Sequence, residues 1–129
     1  MNFDFLTYHC NTFNNYYLLK NLIKSFDHCN TSNNCEWIIT DFGSTDNTRD
    51  YLTDLSKDRD NFTVILGNEN NFTNYLKNKK LDPKNKQQMK QVVFARSRNM
   101  CRAIAQGNIF VDISDDHQFI RKGDWLSDF

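Results

Sequence analysis

Apolar runs too short to be helices alternate along this chain with longer segments whose apolar residues recur at three- and four-residue intervals. Phe3, Phe5, Leu6 and Tyr8 predict a first strand ending near Thr7–Cys10. From about Asn14 to Phe26 the apolar residues Leu18, Leu19, Leu22, Ile23 and Phe26 share one helical face. The Asn- and Ser-rich segment Cys29–Cys35 reads as a loop. Trp37-Ile38-Ile39-Thr40 is a short strand ended by Asp41. Ser44 or Thr45 is placed to cap a helix carrying Tyr51, Leu52 and Leu55, with Asp46 in its first turn. Phe62–Leu66 is a third strand stopped by Gly67-Asn68. A helix near Val92–Gln106 points Phe94, Met100, Ala103 and Ile104 inward and takes Gly107 as its C-cap. The strand beginning at Ile109 completes a β-α-β-α-β-loop-α-β order. Such an order folds as a mostly parallel α/β sheet with right-handed crossovers.

At 129 residues the chain makes one domain with a core of useful size. Sixteen basic and sixteen acidic residues cancel, which removes the global field that draws proteins to nucleic acid or membrane. Asparagine, roughly one residue in seven, fits AT-rich codon usage and carries no chemistry by itself. Residues 68–91 form a polar insertion, and its six lysines between Lys77 and Lys90 read as a solvated face. No apolar run reaches the ~20 residues of a membrane span, and the first ten residues do not form a signal peptide, so a cytoplasmic chain is expected. Cys10, Cys29, Cys35 and Cys101 lack the paired spacing of a zinc site and are expected to stay reduced.

In parallel α/β sheets ligands bind beyond the carboxyl ends of the strands, where strand order reverses. Polar residues gather at those ends: Thr7, His9 and Asn11 after the first strand, Asp41 after the second, and Asp115-Asp116-His117 after the last. Neighbouring carboxylates repel and cost desolvation, so Asp115-Asp116 needs a cation or solvent. Asp112, inside the last strand, reads as a structural acid satisfied by a polar neighbour.

Three ordered blocks resemble glycosyltransferase family 2. EWIITDFGSTDNTRDYL is similar to the family's strand followed by D-D-G-S-x-D-x-T, with Asp41, Gly43, Ser44, Asp46 and Thr48 matching and Phe42 standing for the second Asp. ARSRNMCRAIAQGNIFVDISDDH resembles its A-R-N-x-G…A-x-G-strand-D-x-D block through Arg98, Asn99, Ala105 and Gly107. TYHCNTFNNYYLLKNLIKSF resembles the opening P-x-Y-N…L…S segment. The resemblance implies one Rossmann-like GT-A sandwich over residues 1–129, cut short after the D-x-D region. It further implies a nucleotide-diphosphate-sugar donor, UDP-linked in the commoner case, and Mn²⁺ or Mg²⁺. A divalent cation stabilises the charge that develops on a diphosphate leaving group, and hard carboxylate oxygens suit it.

By that resemblance Asp41 accepts from the base edge, Ser44 belongs to the same nucleotide-binding loop, and Arg98 lies near the diphosphate or the base. Counted from Gly107, the two acids of D-x-D fall on Ser114 and Asp116, which makes Ser114 a partner for a ribose hydroxyl. Asp116, helped by Asp115, is then the metal ligand. A register one residue later gives Asp115-x-His117 and makes His117 a ligand. The family's acceptor half, which supplies the catalytic base, has no counterpart in the sequence. Asp124 and Asp128 are the candidate bases in principle, Asp124 reads more simply as a helix-start residue, and a partner chain or second copy is the way such a site is completed. The competing expectation is a nucleotide-sugar-binding module without transfer activity. A nucleotidyltransferase is disfavoured because no glycine precedes Gly43, and a serine hydrolase because G-x-S-x-G is absent.

Overall fold

The computed structural model describes residues 4–29, 34–41, 43–67, 78, 80 and 84–119, with the backbone alone for 86–94. Four strands form one sheet: β1 (Leu6–Thr12), β2 (Cys35–Asp41), β3 (Phe62–Leu66) and β4 (Ile109–Asp112). Helices α1 (Tyr16–Cys29), α2 (Thr48–Asp58) and α3 (Lys86–Ile104) connect or precede them. The order across the sheet is β3-β2-β1-β4, with every pairing parallel. This is the parallel α/β sandwich that the alternation of elements predicts. Strand order reverses between β1 and β4, so the crevice for a ligand opens at their carboxyl ends.

Strand residues alternate between two unlike faces. Tyr8, Cys10, Trp37, Ile39 and Phe62 are buried beneath Leu19, Leu22, Ile23 and Phe26 of α1 and Leu52 of α2. The opposite face carries Thr7, His9, Thr40 and Asp112 and meets α3 through Ser97, which is fully buried. One face is therefore a conventional apolar core, and the other is held by hydrogen bonds.

That polar face corrects several expectations. β1 runs to Thr12, so Thr7 and His9 lie within the strand and not beyond its end. Their polarity suggested a strand end, yet it suits a strand whose alternate side chains face a polar helix. α3 begins six residues before Val92, inside the expected insertion. It turns Ser97 and Cys101 inward, whereas Ala103 and Ile104 are exposed and Met100 is half-buried; Phe94 has a side chain outside the described residues. Small residues are what allow α3 to approach the hydrogen-bonding groups beneath it.

Gly107 also has a different function from the one expected. α3 ends at Ile104, and Gly107 N–H donates to Thr7 Oγ1 at 3.0 Å. A β-carbon there would stand 2.5 Å from Thr7 Oγ1 and 2.7 Å from both Phe5 O and Thr7 N. Backbone cannot yield as a side-chain tip does, so glycine is required for close approach to β1. The α2 start is shifted as well: the helix begins at Thr48 with Asn47 as N-cap, so Ser44 and Thr45 lie upstream in the loop. Most of residues 68–91, the loop between Cys29 and Cys35, Phe42, Asp124 and Asp128 lie wholly or partly outside the described residues.

Candidate functional site

Three loops meet at the carboxyl edge of the sheet, and specific side chains fasten them to one another. Asn14, just after β1, has φ +50°, a left-handed conformation that asparagine tolerates better than most residues. Its backbone N–H donates to Ser44 Oγ at 2.9 Å, while its Oδ1 accepts from the backbone N–H groups of Thr45 at 2.7 Å and Asp46 at 3.3 Å. Asp46 returns the link by accepting from Tyr16 N at the start of α1 and from Thr48 N at the start of α2. Burial pulls the Asp46 carboxyl upward, but these hydrogen bonds outweigh it and hold the group below the usual carboxylate range. Gly43, with φ +101°, makes the turn that brings this loop round.

The third loop follows β4. Asp115 is buried, and its Oδ2 accepts from Thr12 Oγ1 and Asn15 Nδ2, both at 2.9 Å. Asp116 and His117 are exposed beside it, as is Ser114. Ser114 and His117 close a tight turn: His117 N donates to Ser114 O at 3.1 Å, and Ser114 N donates to His117 Nδ1 at 3.3 Å. Accepting at Nδ1 leaves the neutral ring's proton on Nε2. To ligate a metal, His117 would have to give up that bond, which favours Asp116.

Asp41 ends β2 and is fully buried. Ser44 donates to it twice, from Oγ to Oδ1 and from N to Oδ2 at 3.2 Å. Arg49 Nη1 lies 3.2 Å from Oδ2 and donates also to Gly67 O at 2.8 Å. With both oxygens engaged, Asp41 ties the loop after β2 to the end of β3. Oδ1 takes a single donor and keeps a second acceptor site, so acceptance from a base edge displaces none of these donors. Ser44 is occupied in the same clamp.

The other expected residues form a chain beneath α3. Arg98 Nη2 donates to Asp112 Oδ2, and Asp112 Oδ1 lies 2.8 Å from His9 Nδ1. His9 Nε2 lies 2.7 Å from Ser97 Oγ, which contacts Thr40 Oγ1, itself 3.1 Å from the amide oxygen of Asn11. Burial raises the Asp112 carboxyl, but the hydrogen bonds from His9 and Arg98 prevail and lower it. Burial lowers the His9 imidazole below the ordinary histidine range, against the upward pull of Asp112. Burial also pushes the Cys101 thiol up to about 12, with Asp112 adding to it, so it stays protonated. Thr7 lies at the far end of the strand, where it donates to Glu36 Oε1 at 2.7 Å and accepts from Gly107. Thr7 and His9 are buried within the strand, and of the three Asn11 alone is part-exposed near the rim.

The depressed His9 pKa carries a sign for stability. A histidine held neutral by the fold contributes stability that is complete above its unfolded pKa, about 6.5, and is lost as pH falls through the folded value. The urea midpoint should therefore fall between pH 7.5 and pH 5.5, and His9→Gln should flatten that decline. Equal midpoints for the wild type at both pH values would refute this account.

Among the described residues no three His, Cys, Asp or Glu side chains converge as an all-protein cation cage. Mn²⁺ or Mg²⁺ held together with a diphosphate does not need one, since phosphate oxygens and water complete the shell around one or two carboxylates. Exposed Asp116 suits that arrangement. Asp115, committed to Thr12 and Asn15, suits a supporting position. Sequence reading missed Thr12, Asn14, Asn15 and Arg49. The pair Asn14-Asn15 directly after a strand was the available signal, because asparagine favours such turns.

Comparisons with known proteins bear on the family and the fold. The sequence model of "Glycosyl transferase family 2" matches residues 11–82, more than half of the chain. No curated protein matches it. Among solved structures, S. aureus TarS 1-349 superposes with a TM-score of 0.60 at 15% identity, over 96% of this chain and 30% of its own. The mannosyltransferase PcManGT from Pyrobaculum calidifontis, in complex with GDP-Man and Mn²⁺, gives a TM-score of 0.57 at 17% identity, over 88% of this chain and 28% of its own. The chain thus spans less than a third of the length of these structures. The family match from the end of β1 through β3, on a parallel sheet of the same fold as these structures, shows that this chain belongs to glycosyl transferase family 2.

Proposed function

We propose that this chain binds a nucleotide-diphosphate sugar at the carboxyl edge of its sheet, as the donor-binding part of a glycosyltransferase. The observation that carries the reading is the fastening of the loops after β1, β2 and β4 around the switch point. Thr12, Asn14, Asn15 and Asp46 hold them there, with Asp116 exposed next to the buried Asp115. Rigid loops bearing an exposed carboxylate at this position suit a diphosphate and its cation.

In this reading Asp116 holds Mn²⁺ or Mg²⁺, which when bound supplies charge stabilisation to the departing diphosphate. Asp115 fixes Asp116 by anchoring the loop. Ser114 and Asn11 offer polar groups to the ribose or the base, and Arg98, part-exposed beside Asp112, adds positive charge to the same edge. Asp41 and Ser44 position the loop after β2. UDP is the proposed base carrier, and hexosyl transfer the proposed reaction.

Thermal shift with UDP and with GDP, each with and without Mn²⁺, tests this. A nucleotide at about a hundredfold excess over its Kd stabilises by roughly 2.7 kcal/mol, enough to raise Tm by several degrees. UDP with Mn²⁺ should give the largest rise. A flat Tm under all four conditions would sink the proposal, and a larger rise with GDP would overturn the choice of base. Turnover of a donor sugar distinguishes a transferase from a module that only binds.

A further inference from the structure

The buried face of the sheet carries a polar chain that ends at the cleft. It runs from Arg98 and Asp112 through His9, Ser97 and Thr40 to Asn11. His9, Ser97 and Thr40 are essentially inaccessible, whereas Asn11 is half-exposed near the carboxyl end of β1. The Ser97-His9-Asp112 portion has the distances of a nucleophilic triad, but its burial closes it to any substrate. Its consequence lies in the counting of protons.

Each hydroxyl has one proton to donate. Asp112 accepts from Arg98 and can only accept from His9, so His9 Nδ1 carries a proton. When the ring is neutral, Nε2 accepts from Ser97, Ser97 accepts from Thr40, and Thr40 must accept from the Asn11 amide nitrogen. The Asn11 oxygen then faces the cleft. When the ring is protonated, Nε2 donates to Ser97, Ser97 donates to Thr40, and Thr40 donates to the Asn11 oxygen. The Asn11 NH₂ then faces the cleft. The structure holds Asn11 Oδ1 against Thr40, which is the arrangement of the protonated ring, and the neutral ring's arrangement exchanges amide oxygen and nitrogen at the same position.

We propose that Asn11 is a specificity-determining residue whose donor or acceptor character at the rim is set by the proton on His9, relayed through Ser97 and Thr40. Among the described residues the charged groups facing His9 are Asp112 from β4 and Arg98 from α3, with the uncharged Ser97 of α3, Phe110 of β4 and, as the register partner of His9 on β2, Ile38. The neutral Cys101 thiol of α3 lies near Asp112. Burial holds the His9 imidazole below the ordinary histidine range, so the exchange lies on the acid side of that range. Above it Asn11 selects a ligand N–H, such as a base imide; below it Asn11 selects a carbonyl or phosphate oxygen. The ligand half of this inference rests on the nucleotide-binding reading; the relay itself does not.

NMR of the ligand-free protein separates the two. The Asn11 side-chain amide resonances should titrate with the same midpoint as the His9 ring nitrogens. Thr40→Val should leave the His9 titration in place and abolish the response of Asn11. Ser97→Ala should do the same, which guards against a Thr40 variant that folds poorly. Asn11 resonances that stay flat through the His9 midpoint in the wild type, or that follow it unchanged in Thr40→Val, would overturn the relay. UDP affinity should change severalfold across that midpoint in the wild type and not in Thr40→Val. Binding that ignores pH in the wild type overturns the ligand half alone, and a relay seen without any UDP or GDP binding overturns the nucleotide reading alone.

Discussion

Asp116→Ala should abolish the Mn²⁺-dependent part of nucleotide binding and leave the ligand-free Tm within about 2 °C of wild type. The side chain is exposed, so its loss removes little packing. The neighbouring Asp115→Ala should behave in the opposite way. Asp115 is buried and accepts from Thr12 and Asn15, so its removal strands a buried hydroxyl and an amide. Stranded donors cost about 1–3 kcal/mol, offset in part by relief of repulsion from Asp116. A Tm loss of roughly 5 °C is expected, with nucleotide binding weakened whether or not Mn²⁺ is present. Two adjacent carboxylates would thus divide into a ligand and an anchor. Equal effects of the two variants on ligand-free Tm would contradict that division. Unchanged Mn²⁺-dependent binding in Asp116→Ala would overturn the metal assignment.

How far these roles could be read in advance depended on which face of the sheet a residue occupies. β3 was legible in full, because Phe62–Leu66 is rich in apolar and β-branched residues and has a glycine stop. The inward residues Leu19, Leu22, Ile23 and Phe26 of α1 were legible too, since they meet an apolar face, whereas Leu18, expected beside them, is exposed. α3 was not. Its inward residues, Ser97 and Cys101, are chosen by a polar partner surface that hydrophobic periodicity cannot register. For the same reason Thr7 and His9 resembled a strand end when they were the interior of β1.

At the site, the order of loops and the cluster Asp115-Asp116 were visible, while the fastening between loops was not. Asn14 joins residues about thirty positions away, and nothing in its immediate neighbourhood announces that distance. Its left-handed backbone gives asparagine a physical reason to stand there, beyond codon usage. Arg49 is a comparable case. As a helix residue it looks like ordinary surface charge, yet it bridges Asp41 and Gly67 across two strand ends.

The largest loss of stability is expected from Trp37→Ala. Trp37 is fully buried in β2, where its ring stacks on Tyr8 at 4.9 Å and on Phe62 at 6.0 Å, and Phe26 meets it edge-on at 5.1 Å. These contacts join three adjacent strands to α1, so the cavity has no single neighbour able to collapse into it. A buried Trp→Ala change costs about 3–5 kcal/mol, and aromatic pairs add roughly 0.5–1.5 kcal/mol each beyond area. For 129 residues the unfolding entropy near Tm is roughly 0.27 kcal/mol/K, so a fall of about 15 °C or outright unfolding follows. Trp37→Phe should cost far less, for two reasons. It keeps a ring between Tyr8 and Phe62, and it removes an indole N–H that finds no hydrogen-bond partner among the described residues. Removing a stranded buried donor returns about 1–3 kcal/mol against the lost area. Urea unfolding of both variants decides the matter: if Trp37→Phe is as damaging as Trp37→Ala, the indole is held by an interaction other than ring stacking, and the core is organised differently from the account given for it.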